Sequence, residues 1–392
     1  MVPHCDTLFE SQANRIEQSP RSAYIHVPFC THRCGYCNFT LIAGREDLID
    51  RYLQAMEMEL GKLGHPREVD TLFVGGGTPT HLPADALEKL LGIVLRWFPL
   101  AVGGEFTLEA NPTDLNRGHD HFFCEVGVTR MSIGAQSFDI HKLRSLERNH
   151  TADDIIKAVE SVRNLGIDLS MDLIFGAPGE QLETWSKDLS FALALAPDHV
   201  ATYGLTVEKG TTFYNRLLHG DLSPVEEDLG LAMYVSAIDT LTAAGYEHYE
   251  VSNFAHRGFR CRHNECYWTN GSYYAAGPGA ARFVNGVREI NHRSTTTYIK
   301  RILAGNSPVA FRERLSPAAA AREQIVFGLR RMEGISLEAF RHETGFGIPQ
   351  LLGAPLQKYL DAGLFTMEYD RLRLTRKGLL ISDSIWPDFL AE

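Results

Sequence analysis

The residues best placed to do chemistry are Cys30, Cys34 and Cys37, spaced CxxxCxxC in the run CTHRCGYC. A cluster held by thiolates needs ligands converging from one short irregular segment, and this loop supplies three. Three thiolates can bind three irons of a four-iron cluster, which leaves the fourth iron open to a small molecule. The same cysteines with His26 or His32 as a further ligand would instead make a tetrahedral zinc site. A second signal follows in Gly75-Gly76-Gly77-Thr78-Pro79. Main-chain groups there can approach a polar ligand because no side chain intervenes.

These loops must be positioned by the elements around them. Residues 22–28 (SAYIHVP) read as a strand ended by Pro28, and 46–63 carry apolar side chains at helical spacing. The pattern recurs with strands at 69–75, 105–110, 128–135, 167–176 and 199–207. Each is followed by a helix, at 84–97, 114–126, 151–164, 182–195 and 226–244. Strands alternating with amphipathic helices imply a parallel sheet, because parallel neighbours need a crossover. Six such units predict an α/β fold built on a partial (β/α)6 barrel. In that architecture functional residues belong on loops after the strands. The cysteine loop, GGGTP, EANP, GAQSF and GAPGE all fall there.

The repeat ends near residue 244. Residues 245–316 form an accessory region containing the polar and aromatic run RHNECYWTNGSYYAAGPGAARF. Residues 317–392 predict helices over AREQIVFGLRRM, LEAFRHETG and PQLLGAPLQKYLDAG, then a hairpin around Asp370-Arg371, as in a small winged-helix-like domain. Residues 1–22 are an N-terminal extension, with 23–244 the barrel.

Composition narrows the function. The 392 residues, 44% hydrophobic, can bury one large core and one or two smaller ones. A formal charge of -11 disfavours a surface built to neutralise phosphates, so no nucleic-acid partner is expected. No apolar run is long enough for a membrane helix, and the N-terminus does not resemble a secretory signal. A cytoplasmic location is expected, where seven cysteines serve metal binding or catalysis rather than a disulfide framework.

CxxxCxxC after the first strand with GGGTP after the second resembles the radical S-adenosylmethionine superfamily. The longer run YIHVPFCTHRCGYCNF is similar to the branch holding the oxygen-independent coproporphyrinogen III oxidases (HemN) and the HemW-type haem chaperones, from about Tyr24 to the C-terminal end. The resemblance implies a 4Fe-4S cluster on Cys30, Cys34 and Cys37, with S-adenosylmethionine on the open iron. Tyr24 and Tyr36 match positions lining that cofactor, and Gly76, Gly77 and Thr78 would meet its methionyl end. Glu109, Gln136, Arg148 and Asp172 match further cofactor-contacting positions.

Within the branch, the HemN-type oxidases carry a further cysteine two residues after the third, where this chain has Phe39. HNECYW, residues 263–268, matches the HNxxYW motif of the HemW-type proteins. The resemblance therefore implies a chaperone that binds haem as cargo and passes it to an acceptor protein. His263 is a candidate iron ligand, and Tyr267 and Trp268 are either core or a porphyrin wall. The alternatives are an oxygen-independent coproporphyrinogen III dehydrogenase or another radical enzyme acting on a tetrapyrrole. Of the other cysteines, Cys124 reads as buried core, Cys261 and Cys266 as structural, and Cys5 has no partner spacing.

Overall fold

Strands of a sheet covered on both faces are near-continuous apolar runs. Six such runs lie side by side, in parallel and in chain order, in a computed structural model that describes residues 19–115 and 120–391. They are β1 (Ser22–Val27), β2 (Val69–Gly76), β3 (Leu100–Ala110), β4 (Arg130–Gln136), β5 (Asp168–Phe175) and β6 (His199–Gly204). The crossovers carry α1 (Ile49–Gly61), α2 (Ala84–Trp97), α3 (Asp120–Glu125), α4 (Ala152–Asn164) and α5 (Leu182–Ala194), and α6 (Glu227–Ala243) follows β6. The helices form for local reasons. In α2 the buried Leu87, Leu90, Leu91 and Val94 make one stripe, and α4 opens on a capping box between Thr151 and Asp154. The partial barrel expected from the repeat is the fold observed.

Two details differ from the sequence expectation. The helix expected over 114–126 is helical at Asp120–Glu125, after a tight turn at Pro112–Asp114, and residues 116–119 lie outside the described residues. On this short helix Cys124 is exposed, not core, and donates to Leu165 O at 3.4 Å. Residues 1–18 of the N-terminal extension, with Cys5, also lie outside the described residues.

The sheet continues beyond residue 244. β7 (Glu247–Glu250), at the edge, pairs antiparallel with β8 (Asn253–Ala255), which pairs antiparallel with β6, and β9 (Tyr274–Ala276) adds a parallel strand beside β1. These strands pair the main-chain groups that β1 and β6 would otherwise leave open at the sheet edges. Between them α7 (Arg262–Trp268) meets the middle of β3, where Glu105 accepts from the main-chain N–H groups of Arg262 and His263, each at 3.0 Å. A carboxylate at a helix N-terminus is favourable on charge grounds. A three-stranded antiparallel sheet follows, of β10 (Ala281–Val284), β11 (Val287–Asn291) and β12 (Val309–Glu313), with α8 (Thr295–Leu303) between its last two strands.

The C-terminal part has its own core, including Ile325, Leu329, Phe340, Leu356, Phe365, Leu372 and Phe389. Besides short helices at Arg376–Leu379 and Trp386–Leu390, it has α9 (Pro317–Leu329), α10 (Leu337–Thr344), α11 (Ile348–Leu352) and α12 (Ala354–Asp361). The last two replace one expected helix, because Gly353 breaks it at φ 55°. β13 (Ile335–Ser336), β14 (Phe365–Glu368) and β15 (Arg371–Leu374) form the wing in the order β13-β15-β14. The hairpin turns on Tyr369 and Asp370, at φ 47° and 66°, one residue earlier than expected. Two positive φ values match the turn to the twist of its strands.

Candidate functional site

The loops after β1, β2, β3, β4 and β6, with the C-terminal half of β5, enclose a cavity of about 460 Å³. It is lined by Cys30, Cys34, Cys37, Tyr36, Gly76, Gly77, Thr78, Glu109, Gln136, Arg148 and Asp172. The three cysteines are free thiols, held by a turn in which Cys37 N–H donates to Cys34 O at 3.0 Å. Cys30 Sγ lies 3.4 Å from Thr78 Oγ1, so the cysteine loop and the glycine loop touch.

Each glycine of GGG is required by a neighbour. A Cβ on Gly75 would fall 2.6 Å from the Glu109 carboxyl, one on Gly76 2.5 Å from the His26 ring, and one on Gly77 2.6 Å from Phe29 O and 3.1 Å from Cys30 Sγ. Gly76 also sits at φ 115°, a conformation open to glycine. Its N–H donates to Glu109 Oε2 at 2.8 Å.

The cavity is lined by three carboxyls, Glu109, Glu147 and Asp172, and one guanidinium, Arg148. Burial pushes Glu109 up to about 7, with the charge of Asp172 adding to the effect and the Gly76 N–H opposing it. Burial likewise pushes Asp172 up to about 7, against the hydrogen bond from Ser132 Oγ at 3.1 Å and the Arg148 charge. Arg148 donates to Asn111 Oδ1 at 2.7 Å and Gly134 O at 3.1 Å, and points Nη1 at Cys34 Sγ, 3.8 Å away. Two carboxyls near neutrality are suited to accept from an ammonium or hydroxyl group, and the guanidinium to meet a carboxylate.

Two of the singled-out residues lie elsewhere. Tyr24 is not among the cavity-lining residues; it sits deeper along β1, its hydroxyl 3.0 Å from His26 Nδ1 and its ring against Phe73. His263 packs at the other end of the strands. Its Nδ1 is 2.9 Å from Thr71 Oγ1, its Nε2 is 2.8 Å from Tyr267 Oη, and its ring lies on Phe73. Both ring nitrogens are engaged and the ring is buried, so His263 packs as a core side chain in this structure. Trp268 faces the C-terminal part, beneath the Arg330 guanidinium at 4.6 Å and beside Phe327. The motif thus closes the base of the barrel and joins it to the next core.

The donor set fits a multi-iron cluster better than one zinc ion. Among the described residues, no three His, Cys, Asp or Glu side chains converge to hold a single ion. Both nitrogens of His26 are engaged, by Tyr24 and by Thr40 O at 2.6 Å, and His32 Nε2 bonds Glu147 O at 2.7 Å. Burial pushes the Cys30 thiol up to about 11, so a thiolate there calls for a positive centre beside it.

Residues 24–192 match the radical SAM superfamily and residues 315–381 the HemN C-terminal domain. The heme chaperone HemW of Bacillus subtilis (strain 168) is 34% identical over 378 residues, covering 95% of this chain and 100% of its own. That of Mycobacterium tuberculosis (strain ATCC 25618 / H37Rv) is 34% identical over 381 residues, covering 93% and 94%. The chain belongs to the HemW family of the radical SAM superfamily. The coproporphyrinogen III oxidase HemN of Escherichia coli shares the fold, with a TM-score of 0.84, 21% identity and coverage of 97% of this chain and 92% of its own.

Sequence reasoning on the HemW-like motifs left several lining residues unassigned. Asn111 lies in the same LEANP run as Glu109, and Ser132 precedes GAQ on its strand, so both were within reach of the motif reading. Tyr203 and Leu205 come from the end of the sixth strand, where no motif drew attention to them. No helix among the described residues is long and apolar enough to cross a membrane.

Proposed function

We infer that this chain is a haem chaperone, which binds haem and passes it to an acceptor protein. In this reading a 4Fe-4S cluster sits on Cys30, Cys34 and Cys37, with S-adenosylmethionine in the adjoining cavity and the protein working in the cytoplasm. The observation that carries the reading is Phe39. It stands 64% exposed where the resembling oxidases have a further cysteine. HNECYW and near full-length similarity to chains named heme chaperone HemW support it.

The cluster and cofactor, when bound, would supply one-electron chemistry. The chain's own residues bind, orient and exclude water. Gly76, Gly77 and Thr78 would offer main-chain and hydroxyl groups to the methionyl end. Glu109 and Asp172 would accept from ammonium or ribose hydroxyls, and Arg148 would meet the carboxylate. Tyr36 and Gln136 would flank the cofactor, with Tyr24 supporting the site through His26. His263 and Tyr267 keep the barrel base closed.

An anaerobic reconstitution tests this, scoring iron and sulfide content, S-adenosylmethionine affinity, haem stoichiometry by absorbance and coproporphyrinogen III conversion. Haem bound without conversion is the expected result. Conversion of coproporphyrinogen III would replace the chaperone with a dehydrogenase.

A further inference from the structure

Two exposed arginines grip the loop that carries Phe39. Arg33 donates to Leu41 O at 2.8 Å and to Cys37 O at 3.4 Å. Arg293, from the segment joining β11 to α8, donates to Asn38 O and lies 3.4 Å from Thr40 Oγ1. All these acceptors are neutral, and among the described residues neither guanidinium forms an ion pair. In a chain with 49 acidic side chains, two cations bonded to one loop, one from within it and one from outside, without a carboxylate partner among the described residues are unexpected.

The surface beside them is apolar. Phe39 and Tyr203, 64% and 44% exposed, both border the cavity, with Leu41, Ile174 and Leu205 also in its lining. Large exposed aromatic faces at a cavity rim gain by being covered with another planar apolar surface. Guanidinium groups held by neutral carbonyls gain a charge-assisted, forked pair when a carboxylate arrives. A flat macrocycle bearing two carboxylates satisfies both demands at once.

We propose that the cavity mouth is the haem seat, with the macrocycle against Phe39 and Tyr203 and the two propionates on Arg33 and Arg293. This rests on the haem-chaperone reading. It places the cargo at the end of the strands that holds the cysteine loop, away from HNECYW, whose His263 bonds Thr71 at the opposite end. Phe39 is then the contact that replaces the oxidases' cysteine.

The test uses the full chain with its cluster reconstituted anaerobically, titrated with haem and with haem dimethyl ester, whose propionates are uncharged. The wild-type chain is expected to bind haem about tenfold more tightly than the ester, and Phe39→Ala and Arg293→Gln each to weaken haem about tenfold at unchanged iron and sulfide content. Equal affinity for acid and ester, or wild-type haem affinity in Phe39→Ala with its cluster intact, would overturn the seat. Where Phe39→Ala loses its cluster, the comparison of acid and ester on the wild-type chain decides. A wild-type chain that binds no haem at all would remove the chaperone reading and the seat with it.

Discussion

The main-chain N–H of Gly76 donates to Glu109 Oε2 at 2.8 Å, tying the loop after the second strand to the end of the third. One hydrogen bond therefore sets both the glycine cradle and a carboxyl that faces the cavity. The cysteine loop joins the same unit through Thr78 and Cys30.

Gly77→Ala is expected to damage the cluster site from outside it. The new methyl carbon would lie 2.6 Å from Phe29 O and 3.1 Å from Cys30 Sγ, and backbone cannot yield as a side-chain tip can. Iron and sulfide content after reconstitution should fall while the far-ultraviolet circular dichroism stays unchanged. Full cluster content in this variant would contradict the cradle.

Glu109 and Asp172 set a pH dependence in the ligand-free chain. Both carboxyls are raised to about 7 by burial, from ordinary values of 4.5 and 3.8, so the folded chain holds protons that the unfolded chain releases. Where the folded state binds more protons, stability falls as pH rises. Melting temperatures measured from about pH 4 to 7 should therefore carry a downward contribution that Glu109→Gln with Asp172→Asn removes. An identical pH profile in the double variant would refute the assignment.

Lys142, on the short helix Ile140–Ser145, donates to Glu180 at 2.5 Å and Asp188 at 2.8 Å, with all three side chains buried. The network binds the loop after the fourth strand to GAPGE after the fifth. Lys142→Met strands two buried carboxyls and should cost about 3–5 kcal/mol in urea unfolding. Replacing all three by apolar residues of similar volume should recover much of that loss; a Lys142→Met variant of wild-type stability would show the network idle.

His263→Phe should separate packing from ligation. It leaves Thr71 and the Tyr267 hydroxyl without the imidazole, at a cost of about 1–3 kcal/mol. Haem affinity and the Soret band should be unchanged. A shifted Soret band with normal stability would restore His263 as an iron ligand.

Local patterns were readable because their causes are local. The stripe of α2, the Thr151 cap and the apolar strands are each written within a few neighbouring residues, as is the CxxxCxxC loop. What escaped depends on distant partners. One ring nitrogen of His263 is met by Tyr267 within the motif, but the other is met by Thr71, 192 residues away, and its main-chain N–H by Glu105, 158 residues away, partners that HNECYW does not show. Arg293 reaches Asn38 across 255 residues, and nothing beside either one announces it. Tyr24 matches a cofactor-lining position by resemblance, and in the structure it stands two residues before His26 on β1. Two residues along a strand is about 7 Å, enough to set its ring below the cavity. Cys124 followed a helical pattern over 114–126 that, among the described residues, is helical at Asp120–Glu125, where its side chain is exposed.

The central claim is tested most directly by handover. Full-length chain, reconstituted anaerobically and loaded with one haem, is mixed with an apo-haemoprotein, and the acceptor's absorbance is followed alongside coproporphyrinogen III conversion in the same preparation. The account predicts that the acceptor's spectrum appears at the expense of the loaded chain's, with no coproporphyrinogen III consumed. Haem that never leaves the chain, together with turnover of coproporphyrinogen III, would contradict it.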